Sequence, residues 1–323
     1  MAWESTRQRQ IIAGGFLAGP LYVQGVRQLV GSYLQGFEGE SVHTLTSDAP
    51  FTVHAMAPIS DTSVALGTGN STVSVMDVES GMELFSLRGH TMLVSYLKLI
   101  SEDVLASCSY DRTVRVWDLR THTCTLKLVG HGGHVYAVDV LPDGTLVSGS
   151  RDRTVCLWDP ATGLCKHTLI GHTDWVVSLA VLPDGKLASG SFDCTVRVWQ
   201  MEYGLWRSRV LAGHTDAVFG ITPLPGDKLA SAARDMTVRL WDLISGECLR
   251  VLEGHNGSVY ALVTLPDGML ASGAQDMAVC VWDPETGARI HLQGHTDWVV
   301  AVGVRPDGKL VSESCDGMVK IWQ

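Results

Sequence analysis

Catalysis and metal binding need side chains that ligate, attack or exchange protons. This 323-residue chain carries 12 histidines, 34 acidic residues and eight cysteines. His131-Gly-Gly-His134 has the outline of a metal-ligand pair, and Gly67-Thr-Gly69 that of a nucleotide loop. The glycine pair lacks the strand-to-helix context such a loop requires. No nucleophile elbow, phosphate-binding glycine loop or zinc-protease motif occurs. The even number of cysteines invites a disulfide reading. Asn70-Ser-Thr72 and Asn256-Gly-Ser258 match glycosylation acceptors, which matters only in an exported chain.

Many of these side chains fall into register. Gly-His pairs end at His90, His131, His172, His214, His255 and His295, spaced 41, 41, 42, 41 and 40 residues apart. An aspartate follows 21 residues later in every unit (Asp111, Asp152, Asp193, Asp235, Asp276, Asp316). A tryptophan comes 6 after that (Trp117, Trp158, Trp199, Trp241, Trp282, Trp322). Two offsets held six times define an internal repeat, which must be recognised before any element is assigned. A worn seventh unit precedes these, with Ala49, Leu66, Asn70 and Met76 at the corresponding places. Seven units of about 41 residues leave 36 at the N-terminus, so the expected organisation is a leader over 1–36 and a repeat domain over 37–323.

Within a unit the pattern is strand, turn, strand. Val135-Tyr-Ala-Val-Asp-Val-Leu141 is apolar and β-branched and ends at Pro142-Asp-Gly144. Leu146-Val-Ser-Gly-Ser150 follows, then a tight turn at Arg151-Asp152-Arg153, then Thr154-Val-Cys-Leu-Trp158 and a fourth short strand from Cys165 to Leu169. Four short strands with no helical period make one propeller blade. The chain resembles the WD-repeat β-propeller family over residues 41–323, on its Gly-His pairs and on Trp117-Asp118, Trp158-Asp159, Trp241-Asp242 and Trp282-Asp283. Trp199-Gln200 and Trp322-Gln323 depart from the pattern. The expected fold is all-β, a seven-bladed propeller of four-stranded antiparallel blades.

The resemblance implies a buried hydrogen-bond chain in each blade, tryptophan to serine to histidine to aspartate. Ser107, Ser148, Ser189, Ser231, Ser272 and Ser312, four residues before each aspartate, supply the serine. The position two before it reads Ala233 and Ala274 in units five and six, so it cannot. His131 is thereby committed to the scaffold and no metal site is expected at His134. The first unit has lost the whole set and is expected to be the softest blade, or to be held by its neighbours. The last tryptophan is the penultimate residue, so the seventh blade lacks its own fourth strand. Ser41-Val-His-Thr-Leu-Thr46 has the phase to supply it and to close the ring, removing open edges. Cys124, Cys165 and Cys248 share one phase, and Cys156 and Cys280 another; equal phase in different blades means different places around the ring, too far apart to bond. Reduced cysteines fit a cytoplasmic or nuclear setting. The leader carries Arg7 and Arg9 before a 13-residue apolar run, Ile11 to Val23, broken by Pro20. It has the outline of an export signal without a good cleavage site; a packed arm, a flexible tail or a misplaced start are the alternatives.

The family exposes three positions per unit on its narrower, top face. Here the first set is Thr52, Leu93, His134, Trp175, Ala217, Ser258 and Trp298. The second is His54, Ser95, Tyr136, Val177, Phe219, Tyr260 and Val300. The third is Gly69, Tyr110, Arg151, Phe192, Arg234, Gln275 and Cys315. Aromatic residues and arginine dominate binding hot spots. The expected partner-binding residues are therefore Trp175, Trp298, Tyr136, Phe219, Tyr260, Tyr110, Phe192, Arg151, Arg234 and His134, against the plainer reading that each ring packs on the next blade. Trp206, beside an extra residue in unit four, is either a side-face contact or packs on the adjacent turn. Arg151 and Arg234 suit an acidic or phosphorylated partner.

A non-catalytic scaffold for proteins or peptides is the expected function, without cofactor. The alternative is a substrate-recognition or ubiquitin-binding adaptor of a ubiquitin-ligase pathway, and an enzyme is disfavoured. The net charge of −10 argues against nucleic acid, although 15 of the 34 acidic residues sit at repeat positions. No apolar run reaches the roughly 18 residues a membrane span needs. Nothing in the sequence points to a homo-oligomer.

Overall fold

The computed structural model describes residues 53–322 and the strand Ser41–Thr46. The leader, the boundary at residue 37, Ala49 and Thr52 lie outside the described residues. Those residues form 28 strands in seven four-stranded antiparallel sheets, with no helix among them. Blade 3 shows the pattern: Val135–Val140, Leu146–Ser150, Thr154–Trp158 and Cys165–Ile170, each paired to the one before. The second strand of each blade is buried, but for its first residue in blades 2 and 5, whereas the outer strands of blades 1 to 6 are more exposed, as in Cys165–Ile170. Ser41–Thr46 pairs with Met318–Trp322, which pairs in turn with Leu310–Ser314 and Val299–Val304. Blade 7 is thus completed by the N-terminal strand, as the phase of that segment implied.

The repeated polar residues form the same chain in blades 2 to 7. Each tryptophan Nε1–H donates to the serine Oγ at 2.8 Å. That hydroxyl lies 2.7–2.8 Å from the histidine Nε2. The histidine Nδ1 lies 2.8–3.0 Å from the aspartate. Nδ1 facing a carboxylate carries the proton, so Nε2 accepts from serine, and every buried donor has an acceptor. In blades 2 to 5 a threonine two residues after the aspartate adds a hydroxyl bond of 2.6–2.7 Å. Burial raises the pKa of the aspartates, but the histidine, threonine and backbone donors outweigh it and hold all six below the usual carboxylate value.

The Gly of Gly-His has a steric cause. A Cβ at Gly171 would lie 2.9 Å from Cη2 of Trp199. The Asp of Trp-Asp accepts from backbone N–H groups of the following turn; Asp118 takes those of Arg120 and Thr121 at 2.8 and 3.0 Å. Blade 4 has Gln200 there because its two eight-residue outer strands, Thr195–Glu202 and Leu205–Ala212, meet in a two-residue turn. Tyr203 and Gly204, both at positive φ, make that turn without a capping aspartate.

Blade 1 has apolar residues where the chain was lost. Leu66 and Met76 are buried in one cluster with Val53, Val64 and, from blade 7, Val311, Val319 and Ile321. Asn70 still does the turn-forming half of what the aspartate does elsewhere, since its Oδ1 accepts from the Thr72 hydroxyl at 2.7 Å. Blade 7 carries a second departure. Glu313 stands where blades 3, 4 and 6 have Gly149, Gly190 and Gly273, positions from which a Cβ would press on the next blade's first valine at 2.5–2.8 Å. Glu313 is 1% exposed, and neither carboxyl oxygen has a hydrogen-bond partner. Burial, with Asp316 adding to it, pushes its pKa up to about 8.

Candidate partner-binding face

The histidine–aspartate bonds bring the Gly-His loops and the aspartate turns to one end of the ring. At that end the first strand of every blade carries a β-bulge. In blade 3, Val135 opposes Ser150 and Ala137 opposes Gly149, so Tyr136 is the extra residue. A bulge re-aims the side chain of the residue it inserts. The seven inserted residues, His54, Ser95, Tyr136, Val177, Phe219, Tyr260 and Val300, all line a central cavity of about 610 Å³. They are the whole second set read from the sequence.

The first and third sets are joined by the backbone. Phe192 N–H donates to Trp175 C=O at 2.9 Å, Arg151 to His134 at 2.8 Å and Cys315 to Trp298 at 2.9 Å. This places two side chains per blade above the bulge residue. Eight of the expected partner-binding residues then meet in an unbroken chain of rings. Tyr110 stacks on His134 at 4.4 Å between centroids and meets Tyr136 edge-on at 5.6 Å. Tyr136 stacks on Trp175 at 6.0 Å, Trp175 meets Phe192 at 5.0 Å, and Phe192 meets Phe219 at 5.4 Å. Phe219 leads to Tyr260 at 5.3 Å and Tyr260 to Trp298 at 5.9 Å. The arc crosses every junction from blade 2 to blade 7, and His134 Nδ1, 2.6 Å from Tyr110 C=O, pins one of them. Packing between blades and accessible surface are both true of these rings: seven are half-buried and Trp298 is 42% exposed. Burial raises the Tyr136 hydroxyl to about 12, with Tyr110 adding to the effect, so it stays a neutral donor.

The two arginines behave differently. The Arg151 guanidinium lies over the Trp175 ring, 4.3 Å from its centroid. Arg234 does not line the cavity and sits 3.7 Å from the Asp216 carboxylate, both exposed. The acidic or phosphorylated partner that they suggested would have to displace these contacts. Trp206 packs half-buried on the apolar cluster shared by blades 3 and 4. Sequence reasoning missed Tyr96, which follows the blade 2 bulge and also lines the cavity. It missed the threonines of the network too, although their fixed place after the aspartate was a visible signal.

Among the described residues no cluster of three or more histidine, cysteine or acidic side chains is placed to hold a metal ion, and all eight cysteines are free. No helix among them is long and apolar enough to cross a membrane. No individual curated protein matches the chain. The family described as WD domain, G-beta repeat matches six segments, 81–118, 122–159, 163–200, 206–242, 246–283 and 288–323, all after the worn first unit. With most of its length matched and its seven blades in place, the chain belongs to the WD-repeat family of β-propellers, whose members are generally protein-interaction scaffolds.

Proposed function

We propose that this chain is a non-catalytic scaffold that holds partner proteins or peptides on the face where the aromatic arc surrounds the channel mouth. The arc carries the reading. Rings that only tied blades together could be buried, yet all of these except His134 line an open cavity of about 610 Å³, and all eight keep accessible surface. Large rings offer contact area at little conformational cost, which is why they dominate binding hot spots. The rigid ring contributes positioning, so mechanism here means holding a partner in a fixed orientation. The free thiols support a cytoplasmic or nuclear place of action. A ubiquitin-pathway adaptor is the narrower form of the same reading and would use the same face.

The test is affinity purification with the wild type against a Trp175/Trp298/Arg234 triple alanine variant of unchanged thermal midpoint. The scaffold reading expects specific partners to be lost. Ubiquitin conjugates or ligase subunits among those lost would select the adaptor, and an unchanged set of partners would refute the top-face assignment.

A further inference from the structure

The charge of this face is as uneven as its aromaticity. Its described loops and turns carry nine carboxylates, the six network aspartates with Asp174, Asp216 and Asp297, against four arginines and no lysine. Asp174 and Asp297 directly precede Trp175 and Trp298, so carboxylates flank the arc. Burial and then four aspartates (Asp216, Asp193, Asp235 and Asp174) push up the Cys194 thiol. No lysine or arginine lines the cavity, and no carboxylate either. The mouth is therefore apolar and aromatic, with negative charge set around it.

We propose that this face takes a basic peptide, one lysine or arginine side chain of which enters the channel mouth and lies against the aromatic arc. The proposal rests on the top-face reading and narrows it to the partner's charge. An aromatic ring presents a negative face, and a cation within about 6 Å of its centroid is attracted to it. Arg151 over Trp175 shows one ring of the arc already used in this way. Tyr260 and Trp298, stacked at 5.9 Å on the opposite flank, have no cation over them among the described residues. The aliphatic stem of the incoming side chain would lie along Val177, Ile221 and Val300, and its charge would be set against ring faces with carboxylates beyond. A phosphorylated or acidic peptide would meet those carboxylates instead, with Arg151 already over Trp175 and Arg234 beside Asp216.

The experiment titrates the full chain into a fluorescent 12-residue peptide alternating lysine and serine. Glutamate–serine and phosphoserine–serine peptides of the same length run beside it. Tyr260→Leu and Trp298→Leu remove a ring without changing charge; Tyr260→Phe keeps the ring. The expected result is that the lysine peptide binds best, that each leucine variant weakens it about five- to thirtyfold, and that Tyr260→Phe leaves it unchanged. Equal binding to all variants would mean attraction by bulk negative charge alone and would overturn the proposal. Tighter binding of either acidic peptide, or no binding of any, would overturn it as well. The top-face reading fails separately, if partners captured by the wild type persist on the triple alanine variant.

Discussion

Replacing Glu313 with methionine should stabilise the ring, by an amount that grows with pH. Glu313 is buried with neither oxygen partnered, and its pKa stands at about 8 against an ordinary 4.5. Between those values the folded chain holds a proton that the unfolded chain releases. The unfolded state binds fewer protons, so stability falls as pH rises through this window. One pKa unit corresponds to about 1.4 kcal/mol, which makes the cost about 3 kcal/mol at pH 7 and about 5 kcal/mol above pH 8. Methionine has a similar reach and no polar atom to strand, and such replacements are often neutral or stabilising. The assay is the denaturant midpoint of wild type and Glu313→Met at pH 5.5, 7 and 8.5. Taking the difference removes what the two proteins have in common, leaving Glu313 and its coupling to Asp316. The gap should be small at pH 5.5 and widest at pH 8.5. A gap that does not change with pH, or a variant less stable at every pH, would refute the burial argument.

Three further outcomes follow from the blades. Asp193→Ala strands the His172 Nδ1–H and the Thr195 hydroxyl and should cost about 1–3 kcal/mol in a denaturation curve. Because the folded Asp193 pKa is depressed below 3.8, that difference should be full above pH 4 and shrink on further acidification. The residue after each network aspartate has positive φ, 66° at Met277 and 78° at Gly317. Met277→Gly should therefore raise the midpoint by up to about 1 kcal/mol and Gly317→Ala lower it, and the opposite signs would discount strain at this turn. Removing residues 1–46 leaves Met318–Trp322 as an unpaired edge, so the truncated chain should aggregate by light scattering; a soluble folded monomer would count against closure by Ser41–Thr46.

The fold was legible because the repeat states the same local constraints six times, and averaging over copies removes the ambiguity of any one. The pairing of Trp, Ser, His and Asp came from the family resemblance, and the repeat then singled out the serine, because the alternative position reads Ala233 and Ala274 in two units. The positions of the candidate face were legible by phase, but two things about it were not. No residue type marks a bulge: His54, Ser95 and Tyr136 have nothing in common except where the extra residue falls. Contacts between blades join residues about 25 to 40 positions apart, Tyr110 with His134 or Phe219 with Tyr260, and the repeat is silent about neighbours in the ring. Glu313 was passed over for the converse reason. It occupies a small-residue position, and only the missing hydrogen-bond partners reveal its isolation.

Closure by Ser41–Thr46 sets the order in which this protein can become finished. Its partner strand, Met318–Trp322, is made more than 270 residues later, so the join forms the longest-range contact described in the chain. On the ribosome the outer strand of blade 7 waits, unpaired, while six blades and the other three strands of its own are synthesised. Contacts of such separation slow folding, and strand edges left open meanwhile invite wrong pairing. The ring that removes edges from the finished protein therefore concentrates the risk of misassembly into the interval before its last strand emerges.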